Sequence, residues 1–138
     1  MRFIALIVVA VASFALYVRL APSDAARWHV STGDAGKRDF AGATIRTIPS
    51  DPGAMTRLDR IIRATPRTTR LAGNPEEGMV TYVTRSRVWG FPDYTTIEAR
   101  PGAIVIHGRL RFGSSDMGVN RARVTGWIAA LEAGEGRA

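Results

Sequence analysis

No cysteine occurs in this 138-residue chain, which excludes disulfides, thiolate nucleophiles and thiolate zinc sites, and leaves the redox compartment unread. Histidine is scarce too. His29 stands in a polar stretch and His107 in a strand-like run, and neither has a nucleophile or base at a spacing that makes a catalytic constellation. The sequence therefore implies no enzyme, no metal and no cofactor.

Disorder is excluded as well, because 46% of residues are hydrophobic and only 22% are charged. One folded domain is the expectation at this length. The formal charge of +7 points to an anionic partner, but the basic residues are dispersed and no helix-turn-helix, finger or aromatic RNA-binding pattern accompanies them. An anionic lipid fits the charge better than a nucleic acid does.

Phe3 to Val18 carries no charge and is bracketed by Arg2 and Arg19. A helix over these positions covers roughly 24 Å, slightly short of the ~30 Å hydrocarbon core, and Leu20 and Ala21 extend it if Arg19 snorkels. Residues 1–21 are thus read as a membrane anchor through residues 3–18, in an inner-membrane, single-pass arrangement with the domain on the periplasmic side. The alternative is a cleaved signal peptide and a free periplasmic domain, with small residues at Ser23-Asp24-Ala25 near the cut.

Residues 22–42 read as a linker in which Trp28, Val30 and Phe40 are isolated apolar positions. Residues 43–133 read as the domain, and 134–138 as a tail. Ala43–Ile48 is a short β-branched strand, and Asp51-Pro52 opens a helix carrying Met55, Leu58, Ile61 and Ile62 at helical spacing. Strands follow at 67–71, from Met79 through Val88, at 94–99 and at 103–112. In the last of these Ile104, Ile106, Leu110 and Phe112 share one face, and Val105, His107, Arg109 and Arg111 the other. Asp116 then caps a final helix with Val124, Trp127, Ile128 and Leu131 on its apolar stripe. The order predicts an α+β fold: a mainly antiparallel sheet of four to five strands, with one internal helix and a C-terminal helix packed on one face, preceded by a transmembrane helix.

Arg85, Arg87, Arg109 and Arg111 occupy alternate positions, so each pair projects from one sheet face. If their strands are neighbours, four guanidinium groups crowd together, which calls for carboxylates or a bound anion. The turn that follows holds Gly113, Ser115, Asp116, Gly118, Asn120, Arg121 and Arg123, with short side chains that bond local backbone and a helix start that attracts anions. Candidate ligand-binding residues are therefore Arg85, Arg87, Arg109, Arg111, Ser115, Asp116, Asn120, Arg121 and Arg123. The purely structural reading pairs Asp93, Glu98 and Asp116 with these arginines and locks the last helix to the sheet.

The stretch from Thr84 to Asp93 and the pattern G-x-S-D-x-G-x-N-R-x-R from Gly113 to Arg123 carry a resemblance. On them the chain resembles the domain-of-unknown-function family DUF1499, over about Ala43 to Leu131. The resemblance implies a small exported or lumenal domain and supplies no activity. The leading expectation is a non-enzymatic, membrane-anchored binding or accessory domain for an anionic or amphipathic ligand. An envelope-complex assembly factor without a small-molecule ligand is the alternative, and a small hydrolase ranks third.

Overall fold

Strand-forming stretches in the second half of the chain pair with their nearest neighbours in sequence, so the sheet grows by short reversals. The computed structural model describes residues 1–33 and 36–137. Its helices are α1 (Arg2–Leu20), the one-turn α2 (Ala25–Trp28), α3 (Ala54–Arg63) and α4 (Val119–Glu132). Its strands are β1 (Arg38–Phe40), β2 (Ala43–Pro49), β3 (Thr68–Asn74), β4 (Met79–Arg85), β5 (Pro92–Arg100) and β6 (Ala103–Leu110). They form one antiparallel sheet in the order β1-β2-β6-β5-β4-β3. The α+β architecture is as expected, with six strands where four to five were counted. The additional one is β1, too short and exposed to carry an alternation signal.

Register aligns Val80 with Ile97 and Ile97 with Ile106, and β2 sets Ile48 beside Ile104. These residues make the face onto which α3 and α4 pack through Leu58, Ile61, Ile62, Val124 and Trp127, all buried. The core is filled. Gly108 sits where α4 comes closest, since a Cβ there would lie 3.2 Å from both Asn120 and Val124 side chains. Within this layer the Asp59 carboxylate is buried and accepts two 2.8 Å bonds from Arg70 and one of 2.8 Å from the Tyr82 hydroxyl. Burial and that carboxylate both push the Tyr82 hydroxyl pKa up.

Helix starts differ from expectation in an informative way. α3 begins at Ala54 because Gly53 adopts φ 85°, and the Asp51 carboxylate binds Arg57 at 2.6 Å instead of capping. α4 begins after Gly118, at φ 80°, and Asp116 does serve its first turn, accepting from the Gly118 and Asn120 N–H groups and the Asn120 amide. β4 stops at Arg85 and does not run on to Val88, because residues 86–90 close a turn in which Gly90 N–H returns to the Ser86 carbonyl.

The other sheet face is covered by the stretch read from sequence as linker. After α1 the chain from Ala21 to Gly33 lies along the face bearing Tyr94, Thr96, Glu98, His107 and Arg109. Trp28 stacks on Tyr94 with ring centres 3.9 Å apart and 9° between planes. His29 Nδ1 meets the Thr81 hydroxyl at 2.9 Å, and Glu98 accepts from the Ser31 hydroxyl and the Thr32 N–H. Residues 34 and 35 of the expected linker and 138 of the expected tail lie outside the described residues.

Candidate functional site

Of the nine residues singled out from sequence, eight fall into two groups and Arg87 stands apart in the turn after β4, while a third group of other residues gathers where α1 meets the domain. β5 lies between β4 and β6, so the two arginine-bearing strands are not neighbours and the four guanidinium groups do not crowd. Nor does either pair stay on one strand, since Arg87 follows the end of β4 and Arg111 the end of β6.

The first group pins the chain from Ala21 to Gly33, the N-terminal strap, together with the end of α1 before it. Arg85 donates to the Val18 carbonyl at 3.2 Å, Arg111 to Pro22 at 2.9 Å and Arg109 to Trp28 at 2.5 Å, and Arg100 bonds the Thr32 carbonyl. Four guanidinium groups thus hold carbonyls spaced from Val18, in the last turn of α1, to Thr32. Arg109 is also set over the Trp28 ring, 5.4 Å from its centre. Its burial brings the guanidinium pKa down to about 10. Backbone carbonyls carry no formal charge, so Arg85, Arg109 and Arg111 have no carboxylate counterion among the described residues. Arg100 and the strap's aromatic anchor Trp28 were missed from sequence. The signal for Trp28 was its isolation, as a large ring in a polar stretch needs a surface to cover.

The second group ties α4 to the sheet. Arg123 donates to Asp93 at 3.2 Å and to the Asn120 amide oxygen at 3.1 Å, while Asn120, fully buried, also donates to Asp116 at 2.8 Å. Burial raises the Asp93 carboxyl above its ordinary value despite Arg123. Asp116 is also penalised by burial, but the bonds from Asn120 and Gly118 outweigh that and lower it. Ser115 accepts from the Met117 N–H at 3.2 Å, and Arg121 stands 4.0 Å from Asp39. Of the three carboxylates in the structural reading, only Asp93 pairs with one of the named arginines, Arg123; Asp116 bonds Gly118 and Asn120 instead, and the partner of Glu98 is Arg100, 3.3 Å away and outside the nine.

The third group stands where α1 meets the domain. Val18 and Ala21 are buried there, Arg19 donates to the Val88 carbonyl at 2.6 Å, and aromatic rings run from Phe14 to Phe91, from Phe91 to Phe112 and from Phe112 to Tyr17 at 6.1–6.3 Å. Phe14, Phe91, Leu110, Phe112, Met117 and Val119 line an apolar cleft of about 570 Å³, with Asp93 and Asp116 at its wall. Around it Val88, Trp89, Met117 and Val119 expose 69, 46, 93 and 47% of their surface. By contrast, the contact between the sheet and α4 is the packed core described above.

α1 itself has mean hydropathy 2.4 and is almost wholly exposed, long and apolar enough to cross a membrane by length and composition. Among the described residues, no cluster of three or more histidines or carboxylates is placed to hold a metal ion. Residues 19–131 match the family described as "Protein of unknown function (DUF1499)", and the chain belongs to that family. The match begins at Arg19, so it takes in the strap as well as the sheet. No curated protein matches the chain.

Proposed function

From family membership and the geometry of the α1 end, we propose that this protein is a membrane-anchored, non-enzymatic accessory domain on the periplasmic side, which takes an amphipathic ligand at the membrane surface. The carrying observation is the apolar cleft that α1 shares with the loops after β4 and β6. Its mouth opens beside the anchor, where an acyl chain has only to move sideways out of the bilayer.

Helix length supports the same placement. Phe14 and Tyr17 already touch the domain, so only Arg2–Ser13 stand clear of it, about 18 Å of helix against a hydrocarbon core of ~30 Å. Seating the domain's end in the interface makes up the difference, and Val88, Trp89, Met117 and Val119 are the side chains that such seating would cover. The assembly-factor reading keeps one observation in its favour, since the arginines of the strap are occupied by backbone carbonyls.

The absence of native cysteine makes the test direct. Met117→Cys lies at the proposed immersed end and Glu76→Cys in the 3-10 turn at the opposite end of β4. A nitroxide at residue 117 is expected to be shielded from water-borne relaxants in vesicles and one at residue 76 to be open to them. In intact cells Glu76→Cys is expected to react with a charged, membrane-impermeant thiol reagent. Equal water access at both positions would remove the seated cleft, and labelling of residue 76 only after lysis would move the domain to the cytoplasmic side.

A further inference from the structure

A second cleft, of about 410 Å³, opens at the same end of the sheet beside the turn after β4, and its walls are basic. Arg19 reaches it from the last turn of α1, Arg67 from the residue before β3, Arg85 from the end of β4 and Arg87 from the turn itself, with Thr69 and Ser86 between them. Four guanidinium groups converge from four parts of the chain. None has a carboxylate partner among the described residues.

Each of three is fixed by backbone along one edge. Arg19 donates to the Val88 and Trp89 carbonyls, Arg85 to Val18 and Gly90, and Arg67 through Nε to Arg85, while the Arg67 carbonyl accepts from the Arg85 N–H at 2.9 Å. Nitrogens not engaged in this way remain on each, and Arg87 makes no hydrogen bond or ion pair within the described residues. Arg67 achieves its position at φ 57°, a left-handed conformation that a non-glycine residue adopts at an energetic cost. Holding like charges together on strained backbone is reasonable when an anion with several acceptor oxygens bridges them.

We propose that this cleft binds the phosphate of an anionic lipid headgroup. Arg19 terminates the apolar helix, so the cleft stands at the level where a bilayer places its phosphates. Planar guanidinium forks suit tetrahedral oxyanions, and such contacts are among the stronger hydrogen bonds a protein makes. The inference rests on the membrane-seated reading above and adds the headgroup chemistry to it.

Native mass spectrometry of the full chain, released from nanodiscs containing equal amounts of phosphatidylglycerol and phosphatidylcholine, tests it. Wild type is expected to retain the glycerol lipid over the choline lipid by about tenfold, or roughly 1.4 kcal/mol, because both offer a phosphate but the choline ammonium brings a cation that the four guanidinium groups repel. Arg67→Gln with Arg87→Gln should bring the ratio close to one, and Arg60→Gln with Arg137→Gln, an equal loss of charge outside the cleft, should leave it unchanged. Equal retention of the two lipids by wild type overturns the proposal while leaving membrane seating intact. Retention of neither lipid refutes the seated reading itself. In a second arm, inorganic phosphate is titrated against the full chain in neutral detergent. Arginine-dependent phosphate binding without lipid preference assigns the cleft to a soluble anion and overturns the lipid source.

Discussion

Single side chains in this protein act mostly by satisfying other parts of the chain. Asp116 collects two backbone N–H groups and the Asn120 amide at the start of α4. Removing it leaves those donors unmet, and Asp116→Ala is expected to cost at least about 1 kcal/mol by chemical denaturation; an unchanged midpoint would show that the turn holds without it. His107 offers a pH signature. Burial, and secondarily Arg109, pull its imidazole down from the usual 6.5 to about 4. Between those values the unfolded chain binds a proton that the native one does not, so stability rises with pH across the window and is lost as pH falls from about 6.5 to about 4. Asp93 runs the other way, since a raised carboxyl weakens the fold as pH climbs above 3.8. The difference between wild type and His107→Gln isolates the histidine. Melting temperatures measured over this range should fall more steeply for wild type on acidification, and parallel curves would dismiss the effect.

Elements tell how far the sequence could be read. α3, α4 and β6 were legible from their apolar spacing, β2 from its β-branched residues closed by Pro49, and α1 because it has no polar face at all. The strap was not legible. Its fastenings are backbone carbonyls, which no side-chain pattern encodes, and the arginines that reach them lie some 67–89 positions away. One sign was nonetheless present. Thr81, Val83 and Val105 are buried on the face opposite the core, and the uninterrupted β-prone run of β4 is what a strand covered on both sides carries. The expected four-arginine cluster failed for a related reason: residue spacing fixes a face but not strand order, and β5 intervened. If the strap is integral to the domain, Trp28→Ala should lower stability by about 2 kcal/mol and speed proteolysis between residues 22 and 33. Unaltered stability together with unaltered cleavage would reduce the strap to a passive tether.

At the scale of the molecule, opposite ends of the sheet have different characters. The reversals at Ser50–Gly53 and Pro75–Gly78 are polar, whereas the end that meets α1 gathers aromatic rings, an apolar cleft and a basic one. That polarity is a property of the sheet and α1 together, since Phe14 and Arg19 belong to α1 and their partners to the domain.

The course of the strap also bears on cleavage near its start. A peptidase needs several residues of loose, outstretched backbone around the bond it cuts. In the finished protein Ala21 is sealed in, Ser23 is bonded to the Tyr94 hydroxyl at 2.7 Å and Asp24 closes the first turn of α2 at 2.9 Å. Any trimming at Ser23-Asp24-Ala25 must therefore outrun the docking of this stretch. A chain in which this stretch has docked presents no loose backbone there, and one cut before docking would lose Phe14 and Arg19, and with them a wall of each of the two clefts.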